Sequence, residues 1–142
     1  MPDLFVVEKI LSNLLANFEN LSKHRNVSSM ELKSNIDTLW IVERGLFLCI
    51  QNILDLFAHI ISYDFDEKWE YYSDIPEVLL KHNLLTPDER DLLNKMISIR
   101  NRLSHEYLTL DANVLSDIMN NRLDDFNKFI EIIKNYCKKD NP

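Results

Sequence analysis

An all-helical fold, an antiparallel bundle of four long helices and one short one, is what this sequence predicts. Three observations carry that expectation. The 142 residues include one glycine and four prolines, too few turn formers for a β architecture. Apolar residues recur at spacings of three and four over long stretches. Helix-start signatures stand before several of those stretches.

The first run, about Leu4 to Ser22, carries an apolar stripe of Leu4, Val7, Leu11, Leu14, Leu15, Phe18 and Leu21, with Asp3 as its cap. Lys23, His24 and Arg25 follow where the negative end of a helix favours cations, and His24 reads as a solvated helix-end residue. Ser28 with Glu31 makes a capping-box pattern opening the longest helix, about Ser29 to Ile61. Its apolar positions cover much of its circumference, so it is the expected central element. Gly45, inside it, costs roughly 1 kcal/mol relative to alanine, and close approach of another backbone, at a dimer interface, is the expected reason. Arg44, Gln51, Asp55 and His59 form a polar stripe on this helix. Buried polar groups need partners, and the expected ones are the later motif helix or a second subunit; a solvent-facing edge is the plainer reading.

Asp64 to Ser73 is acidic and aromatic and reads as a connection. Trp69, Tyr71 and Tyr72 there either line the core under the loop or stack bases, the first being favoured. A short helix is expected at about Ile75 to His82, with Pro76 in its first turn. Thr86-Pro87-Asp88-Glu89 sets cap, first-turn proline and capping-box acid in a row, the clearest helix start in the chain. Asp111 is the expected cap of the last helix, about Asn113 to Lys138. The whole is expected to be one helical domain, residues 1–142, with 138–142 a frayed tail.

Apolar residues at 46% and charged ones at 27% suit a folded domain. No run approaching 18 apolar residues occurs, so no membrane span is expected, and the start lacks the basic segment and cleavage site of a secretory leader. Cys49 and Cys137 are too few and too far apart for a disulfide framework, which suits a reduced, cytoplasmic setting. No cysteine–histidine spacing suggests a metal, and no glycine-rich loop suggests a nucleotide cofactor. The net charge of −7 opposes indiscriminate nucleic-acid binding while leaving room for a local basic notch.

The chemistry concentrates in Ser98-Ile99-Arg100-Asn101-Arg102-Leu103-Ser104-His105-Glu106-Tyr107. Leu92, Met96, Ile99 and Leu103 form the apolar stripe of this helix. Off that stripe lie two guanidiniums, an amide, a hydroxyl and an imidazole. His105 can exchange a proton near neutral pH, and Arg100 and Arg102 carry fixed charges suited to phosphate oxygens. On an unbroken helix Arg100 and His105 would be about 140° apart. They converge only if the helix frays near Leu103-Ser104, or if a second copy supplies the facing half. Asn101 and His105 share a face. A helix C-terminus whose cations merely complement the dipole is the plainer reading of the same residues.

Arg100, four intervening residues, His105, one more and then Tyr107, with Asn101 after the arginine, resembles the signature of the HEPN domain in its HepT-like branch. Glu43-Arg44, Gln51 to Asp55 and His59 resemble the long helix of that family, and the likeness spans most of the chain. It implies a homodimeric, HEPN-like helical ribonuclease, the toxin of a type II-like toxin–antitoxin system. The implied partner is a minimal nucleotidyltransferase antitoxin of MntA type, which neutralises the toxin by binding it and adenylylating the motif tyrosine. On this reading the protein is a metal-independent endoribonuclease. His105 is general acid/base and Arg100 the phosphate-stabilising group; Asn101, Arg102, Ser104 and Tyr107 support substrate binding, and Tyr107 is also the adenylylation target. The alternative is a non-catalytic helical module that binds a nucleotide or docks the nucleotidyltransferase.

Overall fold

The computed structural model describes residues 3–105 and 110–140, and among these every regular element is a helix. Seven α-helices are seen: α1 (Leu4–Ser22), α2 (Ser29–Ser34), α3 (Ile36–Ile60), α4 (Ile75–Lys81), α5 (Pro87–Leu103), α6 (Ala112–Asn121) and α7 (Leu123–Asp140). α1 begins where expected, with the Asp3 carboxylate accepting from the Phe5 N–H at 3.0 Å.

Two of the expected long helices are each broken in two. Asn35 adopts an extended backbone (φ −126°, ψ 100°), and its side chain accepts from the N–H groups of Asp37 and Thr38, so it caps α3 and ends α2. The apolar periodicity runs through this corner because both pieces bury residues in one core. The second break falls at Arg122, between α6 and α7, where Leu123 turns inward and is buried. The bundle therefore keeps its expected helical layers but turns two corners the periodicity conceals.

α3 is the central element. Val42, Leu46, Cys49, Ile50, Ile53, Leu54, Leu56, Phe57 and Ile60 are all at 0% exposure, so neighbours pack around most of its girth. α1 lies antiparallel to it: the Asp3 N–H donates to His59 Nε2 at 3.2 Å, and Asn17 donates to Asn52 at 2.9 Å further along. Val7, Leu14 and Leu21 form the buried seam of α1. Gly45 answers to this packing: a Cβ there would lie 2.8 Å from Leu21 Cδ1, so it is a side chain of α1 that comes close and not another backbone. His59 likewise serves the start of α1, where the motif helix or a partner was expected.

α7 closes the core, with Phe129 edge-on to Phe57 at 6.0 Å between ring centroids and Phe126 against Phe18 at 5.9 Å. Ser116 and Asn120 of α6 both donate to the Val27 carbonyl at 2.9 Å, tying that helix to the loop after α1. By length and composition Ile36–Phe65 could cross a membrane, and half of its most apolar window is buried inside the bundle, as for the core helix of a globular domain. Cys49 lies in that core, its thiol pushed up to about 12 by burial, and neither Cys49 nor Cys137 forms a disulfide among the described residues.

Past Ile60 the helix widens into a π-type turn, Ile61–Phe65, that ends at Asp66 in the left-handed region (φ 47°). In the connection that follows, Asp74 Oδ2 accepts from the Glu70 and Tyr71 N–H groups at 3.0 and 2.9 Å, which holds its carboxyl below the ordinary range. That clasp presents Trp69 and Tyr72 inward, stacked at 5.5 Å and half-buried, while Tyr71 stays 64% exposed. The core-lining expectation thus holds for two of the three aromatics. α5 starts on the capping box read from its sequence: the Glu89 N–H donates to Thr86 Oγ1 at 3.2 Å, and the Thr86 N–H to Glu89 Oε1 at 2.9 Å.

Candidate functional site

α5 is a platform with two working faces. Leu93, Met96 and Ile97 anchor it in the core. The neighbouring face carries Asn94, Ser98 and Asn101, spaced four and three apart, and His105 follows four residues on, past the helix end. The helix ends at Leu103, where fraying was expected: the Ser104 N–H still donates to the Arg100 carbonyl at 3.0 Å, and the His105 N–H reaches only the Arg102 carbonyl at 3.3 Å. An open cleft of about 420 Å³ lies over this face, lined by Ser73, Asn94, Ile97, Ser98, Asn101, Arg102 and His105.

Asn101, Arg102 and His105 are thereby brought together, all three exposed. Ser104 is not in that cleft: its Oγ donates to the Asn101 carbonyl at 2.8 Å and finishes the helix end. Asn94, Ser98 and Ser73 were not singled out as site residues; the spacing of the first two along α5 is the signal that shows them. Tyr107 lies outside the described residues.

Arg100 takes the other direction, toward α3. Its Nε donates to Gln51 Oε1 at 2.9 Å and its Nη1 to Asn101 Oδ1 at 3.1 Å. Its guanidinium carbon sits 4.7 Å from the Tyr72 ring centroid and 5.4 Å from that of Phe47. Arg44 approaches the same Phe47 ring at 5.6 Å. Gln51 in turn donates from Nε2 to Asp55 Oδ1 at 2.8 Å and to Tyr72 Oη at 3.1 Å. Burial raises the Asp55 carboxyl above its ordinary pKa, against the opposing pull of the Gln51 hydrogen bond and the Arg100 charge. The polar stripe of α3 does meet the motif helix, through Gln51 and, one step removed, Asp55.

A guanidinium carries five N–H donors. Two of Arg100's are spent on Gln51 and Asn101, and Nη2 takes no partner among the described residues. Asn101 links the two faces, since it accepts from Arg100 and also lines the cleft that holds His105. The arrangement offers a guanidinium fixed by α3, a second, exposed guanidinium and an imidazole around an open concavity, a set suited to a phosphate ester.

A family model described as ribonuclease HepT-like matches residues 11–133, nearly the whole chain, with α5 and its motif inside the match. The chain belongs to the ribonuclease HepT-like family. The HepT-like resemblance read from Arg100, Asn101, His105 and Tyr107 is borne out, and so is the enzyme class it implied. Among curated relatives, the tRNA nuclease HepT of Aphanizomenon flos-aquae is 27% identical over 131 residues, covering 92% of this chain and 89% of that one. The mRNA nuclease HepT of Shewanella oneidensis is 35% identical over 57 residues, 40% of this chain and 43% of its own length, so this match spans less than half of that relative.

Solved structures agree on the fold. A tri-AMPylated HEPN toxin of Shewanella oneidensis, in complex with its MNT antitoxin, superposes with a TM-score of 0.82 at 22% identity, over 95% of this HepT-like chain and 99% of that one. The cytosolic protein YutE of Bacillus subtilis gives 0.78 at 25% identity, over 99% and 94%.

Proposed function

We propose that this HepT-like protein is the endoribonuclease toxin of a toxin–antitoxin pair and cuts RNA without a metal ion, in a cleft shared by two copies of the chain. The observation that carries this is the divided last turn of α5: His105, Arg102 and Asn101 line one cleft while Arg100 is fixed beside it by α3. A ribose 2′-hydroxyl attacks the adjacent phosphorus as a base takes its proton, and an acid gives a proton to the departing 5′-oxygen. A cyclic phosphate and a free 5′-hydroxyl result, so no outside reactant is needed. His105 serves as the general acid/base, and Arg100 neutralises charge on the phosphoryl oxygens. Arg102 and Asn101 hold and orient the strand.

One motif histidine per chain supplies one of the two proton transfers. A homodimer with facing α5 ends supplies both, and gathers four arginines in a molecule whose net charge is otherwise −7. Such a local cationic notch selects RNA by position where the acidic body repels it.

The antitoxin is expected to be a nucleotidyltransferase of MntA type. The AMPylated relative in complex with an MNT antitoxin supports that partner, and Tyr107, two residues past His105, is the proposed acceptor hydroxyl. Transfer of adenylate from ATP to Tyr107 Oη, with pyrophosphate leaving, adds bulk and negative charge where the RNA phosphate must bind. The cytoplasm, where both substrates occur, is the proposed site of action.

The test is direct. Purified wild type should cut RNA in the presence of a chelator and arrest growth when expressed alone, and the Arg100→Ala and His105→Ala variants should do neither while still folding and dimerising. A wild type that neither cuts RNA nor slows growth would point instead to a non-catalytic module that docks the nucleotidyltransferase. Mass spectrometry after exposure to antitoxin and ATP should find adenylate on Tyr107; adenylate on another residue would contradict that assignment.

A further inference from the structure

The amide of Gln51 is used at both ends. Its oxygen accepts from Arg100 Nε at 2.9 Å, and its nitrogen donates to Asp55 at 2.8 Å and to Tyr72 Oη at 3.1 Å. With both N–H donors engaged, the carboxamide cannot flip without losing all three bonds. The guanidinium it holds is flanked by the Tyr72 and Phe47 rings, at 4.7 and 5.4 Å from their centroids. Gln51 and Phe47 stand on α3, and Tyr72 on the loop that Asp74 clasps, so three separately anchored groups converge on one side chain.

We propose that Gln51 is the positioning residue of the site, fixing the rotation of the Arg100 guanidinium so that its Nη2 side meets the phosphate, with Tyr72 holding Gln51 in that orientation. The inference rests on Arg100 being the phosphate-binding group. A long arginine side chain has many rotamers, and ordering it before substrate binds removes that entropy from the reaction. Asp55 belongs to the device: it takes one of the two Gln51 donors, so the oxygen end is left for Arg100.

The experiment compares the full-length wild type with Gln51→Met, Gln51→Glu and Tyr72→Phe, following cleavage of a short RNA, melting temperature and dimerisation. Gln51→Met keeps the bulk and removes the bonds; kcat should fall about tenfold or more with KM little changed, the pattern of an interaction made in the transition state. Gln51→Glu restores an acceptor for Arg100. Beside Asp55, though, two carboxylates cannot both ionise freely, so its activity relative to wild type should recover as the pH is lowered. Tyr72→Phe keeps the ring under Arg100 and should lose only a few-fold. Unchanged kcat in Gln51→Met, at wild-type melting temperature and with Arg100→Ala inactive, overturns the positioning role alone. Full activity in Arg100→Ala overturns the reading beneath it. A Gln51→Glu to wild-type ratio that is flat with pH also contradicts the proposal.

Discussion

Arg100 and His105 stand five residues apart on one helix end, yet they live in opposite settings. Arg100 is half-buried, hydrogen-bonded to α3 and flanked by two aromatic rings. His105 is exposed at the lip of an open cleft, just beyond the last helical residue. A group that only stabilises charge gains from being held in advance, because the site then has nothing to reorganise as charge develops. A group that moves a proton must instead stand where the strand can reach it, and the open cleft beyond α5 gives His105 that access. Arg100 lies within α5 and faces α3, whereas His105 follows the end of the helix at Leu103 and lines the cleft.

Substitution at the two positions should therefore give the largest and most distinct effects. His105→Ala should lower RNA cleavage by about two to four orders of magnitude, with a smaller cost in stability than removal of the half-buried Arg100 side chain. Arg100→Ala should lower cleavage about as strongly, by a hundredfold or more, and should also cost about 1–3 kcal/mol of stability through lost cation–π contacts and a charged hydrogen bond. Denaturant titration of both variants checks this; an Arg100→Ala chain as stable as wild type would erase the contrast between the two settings.

Next in size is the platform itself. Leu93, at 0% exposure on the buried side of α5, should cost about 2–5 kcal/mol on replacement by alanine. Both faces should lose activity together. Thr86→Ala, at the far end of α5, removes the capping hydroxyl and should cost about 1 kcal/mol, with cleavage at 25 °C little altered.

The smallest effect concerns Asp55. Its carboxyl is raised in the folded chain, chiefly by burial. The stability it contributes is therefore fully present below its unfolded pKa and is lost as pH rises through the folded value. Asp55→Asn should match wild type at low pH and be the more stable of the two at neutral pH. Urea unfolding at the two pH values measures it, and a variant less stable at neutral pH would show that the charge is favourable where it sits.

These predictions lean on elements of unequal legibility. The capping boxes at Ser28 and Thr86, the cap at Asp111 and the apolar stripes are local signals, and α1, α4 and α5 lie within a residue or so of where those signals put them. The corner at Asn35 had a local cue too, since Asn35 with Asp37 is itself a cap followed by an acidic first turn. The apolar periodicity outweighed it because that periodicity reports which residues face the core and not whether the backbone turns. Gly45 announced a close approach, and only the fold says that Leu21 makes it. At the site, Arg100, Asn101, Arg102 and His105 are readable from spacing alone. The bond from Arg100 to Gln51 spans 49 residues of chain, and the Tyr72 ring comes from a loop between them. No local pattern encodes such a meeting.

The measurement that bears most directly on the shared cleft uses mixed dimers. A wild-type chain and a His105→Ala chain, carrying different tags, are coexpressed, and the heterodimer is purified through both. The mixed dimer keeps both copies of Arg100 but only one of the two motif imidazoles. If two imidazoles share the proton transfers of one cleft, the heterodimer should cut RNA more slowly than wild type by about a hundredfold or more. A heterodimer that keeps about half of wild-type cleavage would mean that each chain completes its own site, and the shared-cleft account would be wrong.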